Sequence, residues 1–193
     1  MPSVTLLSGV DMDKKKIEKA IIELIKAVGE NPNREELKKT PARFASLMEE
    51  LLSGTGKNPK EILQITHDLK HDEMVLAKGM PFYSMREHHL MPFFGKCHVA
   101  YIPDKNRIVG ISRLVDIVNI MSRRLQVQER LTTDIANSIM RYLKPKGVGV
   151  VIEARHLCME MRNLREAVIV TSAVRGLFRK DIKTREEFLK LIK

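Results

Sequence analysis

FGKCHVAYIP, residues 94–103, is the stretch on which the fold turns. The chain before it reads with helical periodicity, and here the period changes to that of a strand. RIVGI (107–111) follows after PDKN (103–106), whose Pro, Asp and Asn are turn formers, so the two runs are expected to form a hairpin.

Working outward toward the N-terminus, KKKIEKAIIELIKAVGE (14–30) places Ile17, Ile21, Ile22, Leu24 and Ile25 at near-helical spacing, with Gly29 as a stop. Thr40-Pro41 reads as an N-cap and first helical residue opening ARFASLMEELL, which Gly54 and Gly56 end. Toward the C-terminus, SRLVDIVNIMSRRL is expected as a helix capped by Ser112. A longer amphipathic helix follows from near Gln126 to about Leu143, broken by KPKG (144–147). GVGVVIEARHLCMEM and LREAVIVTSAVRGLF are β-rich, and Thr184 with Glu187 has the spacing of a capping box for a last short helix. The expected class is α+β: an N-terminal helical region over 1–70, then a mostly antiparallel sheet with helices over 71–193, together one structural domain. Four strands in a small chain leave edges that must be paired or covered, and continuation of the sheet between subunits is one solution.

The composition excludes several roles. No apolar run approaches the roughly 18 residues needed to span a bilayer, and MPSVTLLSGVDMDKKK lacks the layout of a signal peptide, so a cytoplasmic protein without membrane partners is expected. Two cysteines, Cys97 and Cys158, cannot build a disulfide framework. The net charge of +10 would suit an anionic partner, but the basic residues are scattered, aromatics make up only 5% and Trp is absent. That pattern argues against a nucleic-acid platform and for solvated basic surface with a phosphate pocket.

Several short segments carry groups capable of chemistry. SMREHHL (84–90) sets Arg86, Glu87, His88 and His89 side by side, the start of a metal or acid–base site with a permanent cation at its edge. In HLC (156–158), residues two apart on a strand would share a face, so His156 and Cys158 would point into one space, either as buried structural groups or as part of a site with REHH. Gln128 and Glu129, in QVQERL at the start of the long helix, read by themselves first as charge complementarity in a first turn; the carboxylate can also accept two parallel N–H groups of a base. Arg43, Ser112, Arg113 and Arg162 are ordinary singly; gathered around one pocket, the arginines would clamp a polyphosphate.

Taken together, TPAR (40–43), EHHLMPFFGK (87–96), HVAYIP (98–103), SRRLQVQERLT (122–132), RHLCM (155–159) and TREEFL (184–189) make the chain resemble the GTP cyclohydrolase I family over roughly three quarters of its length. The resemblance implies a tunnelling fold whose subunit sheets join into rings, giving a homo-oligomer, a decamer of two stacked pentamers with active sites at subunit boundaries. It implies hydrolytic opening of the guanine imidazole ring of GTP, releasing C8 as formate and yielding dihydroneopterin triphosphate for tetrahydrofolate biosynthesis. Carried over by position, Glu129 with Gln128 would anchor guanine, Ser112, Arg113, Arg43 and Arg162 would hold the triphosphate, and His156 assisted by His88 would move protons. The family's zinc would be held here by His89 and Cys158, but the third ligand, a cysteine, is replaced by Arg86. A guanidinium has no lone pair to give, so two ligands remain where a catalytic zinc normally has three. Asp116 stands where the family usually has arginine, Asn163 replaces a glycine, and the segment after Arg162 is about two residues short. These departures keep two alternatives open: a zinc-free paralogue that binds a purine nucleotide or pterin as regulator or scaffold, or an enzyme using Cys158 as nucleophile on a related substrate, since a nearby cation favours thiolate.

Overall fold

Strand alternation and a single glycine decide how the sheet is laid out. The computed structural model describes residues 11–63, 65–66, 71–162 and 167–193; Asn163 and the shortened segment after Arg162 lie outside them. The chain divides into two compact units, Met1–Lys57 and Asn58–Lys193.

In the first unit, α1 (Lys14–Ala27) starts at Asp13, whose carboxylate accepts a hydrogen bond from the Lys16 amide at 3.0 Å, and Gly29 ends it at φ +86°. It packs against α2 (Thr40–Leu51), with Ile25 and Ala45 buried. Thr40 is the first helical residue rather than the cap; Lys39 holds that position and no side chain bonds the first turn.

The second unit holds a two-stranded sheet and a five-stranded one. The small sheet pairs β1 (Ile65–Thr66) with β4 (Ile108–Val109). The large one has the order β5-β2-β3-β6-β7, from β2 (Val75–Arg86), β3 (Met91–Ile102), β5 (Leu125–Gln126), β6 (Gly147–His156) and β7 (Ile169–Gly176). All its neighbours are antiparallel except the short β2–β5 pair. The expected hairpin of 94–103 with 107–111 is therefore corrected: β3 forms its hairpin with β2, Arg86 opposite Met91, and its other neighbour is β6. A two-residue strand such as Ile108–Val109 carries too little pattern to reveal its partner. In β2 the register shifts between Ala77 and Met80, where Gly79 takes φ +71°; this bulge interrupts the alternation that would have marked the strand.

Helices α3 (Ile111–Ser122) and α4 (Gln128–Leu143) cover one face. Leu131, Ile135, Ile139 and Leu143 recur every fourth residue along α4 and are all fully buried, joining Val99, Tyr101, Val150 and Ile152 of the sheet in one core. Each such side chain contributes roughly 1.5–3 kcal/mol relative to exposure. A four-residue helix, α5 (Leu157–Glu160), follows β6, while α6 (Leu177–Lys180) and α7 (Ile182–Ile192) bring Phe178 and Phe188 against Ala100 and Val151 on the opposite face. Ser112 lies inside the first turn of α3, whose cap position is Gly110. Asp181 rather than Thr184 caps α7, accepting from the Thr184 amide at 2.8 Å and from its hydroxyl at 2.6 Å. Among the described residues no helix is long and apolar enough to cross a membrane.

Candidate active site

Alternation along three adjacent strands brings the chemistry together. Phe82, Ser84 and Arg86 occupy the helix-covered face of β2; Phe93 lies on the same face of β3 and His156 on that of β6, where Phe93 and His156 are register partners. The His156 ring lies flat on the Phe93 ring, 4.9 Å between centroids and 4° between planes. The N-terminus of α4 closes over this end and inserts Gln128.

Gln128 is 1% exposed and its amide is fully committed to protein. Its Nε2 donates to the carbonyls of Ile152 (3.0 Å) and Ile169 (2.9 Å) and to Thr171 Oγ1 (3.1 Å). Those acceptors fix which way the amide points, so its Oε1 is the atom 2.8 Å from His156 Nε2, and that ring nitrogen must carry the proton. His156 Nδ1 is left with its lone pair, and Arg86 NH1 donates into it at 3.1 Å. The imidazole is thus a neutral Nε2–H tautomer clamped from both sides. Burial holds its pKa below the ordinary imidazole value, the Arg86 charge pushes the same way, and Glu129 and Glu160 oppose them.

The strand expected through HLC ends at His156, and Cys158 lies buried in the first turn of α5. The two residues are therefore not alternate positions of one strand, because the backbone turns between them. Arg155 pins that turn through two bonds to Glu160, at 2.8 and 2.9 Å. His88 and His89 are exposed on the turn after β2, whose first residue, Glu87, is tied to α4. Arg130 forms a two-pronged ion pair with the Glu87 carboxylate, and also donates to Gln126 Oε1 (2.9 Å) and to the Leu125 carbonyl (3.1 Å). This ion pair holds the Glu87 carboxyl below the ordinary carboxylate range. Neither Arg130 nor Phe93 stood out in the sequence; the four-residue step from Gln126 to Arg130 was the one available signal for the clasp.

Glu129 is exposed at the first turn of α4, beside the buried Gln128. Ser112 and Arg113 are exposed at the start of α3, where Arg113 NH1 lies 3.5 Å from Asp116 Oδ2. Arg162 is exposed after α5, and Arg43 lies exposed on α2 in the other unit. The arrangement brings together Arg86, His156, Gln128 and Phe93, with Glu129 at the rim.

The side chains present do not fit a zinc ion. Arg86 supplies N–H donors and no lone pair, and the His156 Nδ1 lone pair is already used by it. Among the described residues no three His, Cys, Asp or Glu side chains gather closely enough to share a metal.

A mixed sheet covered by two helices, with a buried imidazole clamped at the N-terminus of one of them, defines an α+β protein with a candidate acid–base site. The family model for GTP cyclohydrolase I matches residues 17–193. GTP cyclohydrolase 1 of Pelotomaculum thermopropionicum is 53% identical over 183 residues, covering 94% of this chain and 97% of that protein. The GTP cyclohydrolase 1 proteins of Thermoanaerobacter pseudethanolicus and Clostridioides difficile are 50% and 48% identical at the same coverage. The chain belongs to the GTP cyclohydrolase I family.

Proposed function

We propose that this protein is a GTP-binding hydrolase of the GTP cyclohydrolase I type, opening the imidazole ring of guanine and releasing formate, a step toward pterins and tetrahydrofolate. The observation that carries the reading is the Gln128–His156–Phe93 arrangement beneath the Glu129 turn, in a chain half identical to proteins named for that activity. In this reading Glu129 accepts the two adjacent N–H groups of guanine, a match of one carboxylate to one base edge. Gln128, spent on protein partners, acts by holding His156 at a fixed angle. His156 and His88 are the proton-handling groups, and Ser112, Arg113, Arg43 and Arg162 are the triphosphate contacts. The exposure of Glu129, Ser112, Arg113, Arg43 and Arg162 supports a site completed by a second subunit. β7 supports the same view, since it is a sheet edge eight residues long, with Val170 on it and Val168 just before it more than half exposed. A ring-shaped homo-oligomer built by edge pairing, stacked in two pentamers, accounts for both.

A second reading is favoured by one contact. Arg86 engages the nitrogen of His156 that would otherwise accept a proton, which suits a protein that binds a purine nucleotide or pterin without turning it over. Cys158 acting as nucleophile on a related substrate is instead a variant of the enzyme reading. GTP titration by calorimetry, paired with assays of formate and of the fluorescent oxidised pterin, separates them. Binding with formate release supports the hydrolase, binding without release supports the binding protein, and no binding at all overturns both.

A further inference from the structure

We propose that Arg86 is the resident cation of this site, occupying the place a metal would need, so that the protein binds its nucleotide without zinc. This rests on the family reading given above, which supplies the expectation of a metal at this point.

Three observations carry it. Arg86 is the last residue of β2 and its guanidinium reaches across Phe93 to within 3.1 Å of His156 Nδ1, so the cation stands inside the site and not at its rim. The contact is specific in direction: Gln128 forces the proton of His156 onto Nε2, leaving Nδ1 as an acceptor that only a donor can satisfy. A metal brought to this position would meet N–H groups instead of lone pairs. Finally, the charge is not neutralised by the protein. Among the described residues no carboxylate pairs with Arg86, and its Nε is buried without a hydrogen-bond partner. Guanidinium groups stay charged in proteins. A half-buried, permanent and unneutralised cation is complementary to an anionic or electron-rich oxygen of a ligand, the role for which a metal ion would otherwise be recruited. Glu87, the nearest carboxylate in sequence, is held away by Arg130.

The test is elemental analysis and GTP titration on three proteins: the natural chain, Arg86→Cys and Arg86→Ser. The natural chain is expected to carry well under one zinc per chain after purification with zinc in the medium, and to bind GTP equally well before and after treatment with a chelator. Arg86→Cys supplies the thiol that the family reading asks for alongside His89 and Cys158, and removes the opposing charge; it should take up about one zinc per chain. Arg86→Ser removes the charge without a soft ligand and should stay zinc-poor while binding GTP about tenfold more weakly, because the resident cation is gone. Stoichiometric zinc in the natural chain, or GTP affinity that falls when a chelator is added, overturns the proposal. So does an Arg86→Cys protein that folds and remains zinc-free, since Arg86 would then not be what excludes the metal. Absence of GTP binding by the natural chain would instead strike the family reading, whatever the zinc content.

Discussion

Replacing Gln128 by leucine tests the core of the site most directly. Leucine is close to glutamine in volume, so the substitution opens little cavity and its cost is set by hydrogen bonds. Four bonds are lost. Thr171 Oγ1 keeps a partner, because Thr132 Oγ1 lies 2.6 Å away. That leaves the carbonyls of Ile152 and Ile169 and the Nε2–H of His156, all in a region where Gln128 itself is 1% exposed. At about 1 kcal/mol for each carbonyl and somewhat more for the imidazole N–H, the expected loss is about 3–4 kcal/mol. That is a large share of the roughly 5–15 kcal/mol typical of a folded domain. Urea unfolding followed by circular dichroism, at one fixed protomer concentration to hold assembly constant, measures it. Gln128→Glu sharpens the test. A carboxylate would turn an oxygen toward two carbonyl oxygens and bury a charge, so it should destabilise more than leucine does. A loss below about 1 kcal/mol for leucine would refute the bonding scheme. Glutamate tolerated better than leucine would refute the amide orientation, and with it the assignment of the His156 tautomer.

Three further outcomes are expected. Glu129→Gln exchanges an acceptor for a donor at the proposed base contact and should weaken GTP binding by about 2–3 kcal/mol, roughly thirtyfold to 150-fold; unchanged affinity in a calorimetric titration removes Glu129 from that role. Arg130→Met should release the turn bearing His88 and His89, seen as faster hydrogen exchange of the Glu87 and Leu90 amides, which bond the Gln126 and Arg86 carbonyls at 3.0 and 2.8 Å; unchanged protection would show that the clasp holds nothing. His98 is 3% exposed, and burial lowers its pKa, Glu153 opposing while Lys78 and Lys96 assist. The unfolded chain therefore takes up the proton first on acidification, so His98 leaves stability intact above the ordinary imidazole value and removes it as pH falls through that value toward the folded one. Urea midpoints measured between about pH 8 and pH 5 should decline less in His98→Gln than in the natural chain, and equal slopes would discount the histidine.

How much of this was legible in the sequence depends on the length scale of the signal. The long helices were, because Leu131, Ile135, Ile139 and Leu143 repeat on one face over the whole of α4. The strands 94–102 and 147–156 were legible too, as apolar runs ended by turn formers. β2 was not, since Lys78, Gly79 and Pro81 break its pattern where the bulge resets the phase. With β2 unseen, RIVGI was paired to the wrong strand. The residues of the site were picked out as types, but their relations were not. That Arg86 would reach His156, seventy positions along the chain, follows only from the order β2-β3-β6 and the shared face. Gln128 looked like an exposed first-turn polar residue or a base contact; its burial follows from the angle at which α4 meets β6 and β7, which no local pattern encodes.

The choice between guanidinium and metal at this site is decided by charge as much as by ligand count. Two unit positive charges about 4 Å apart repel by about 4 kcal/mol at an effective dielectric near 20, and a dication doubles that. Three good ligands could outweigh such a cost, but the natural chain offers His89 on an exposed turn and Cys158 on a short helix, with Arg86 between their elements and already bonded. The guanidinium also does something a metal would not. By donating to Nδ1 while Gln128 accepts from Nε2, it holds the ring through both nitrogens, so His156 can take up a proton only if Arg86 moves away. A ligand oxygen that drew the guanidinium toward itself would free Nδ1. Proton handling by His156 would then depend on occupancy of the neighbouring anion position, a coupling that follows from one shared hydrogen bond.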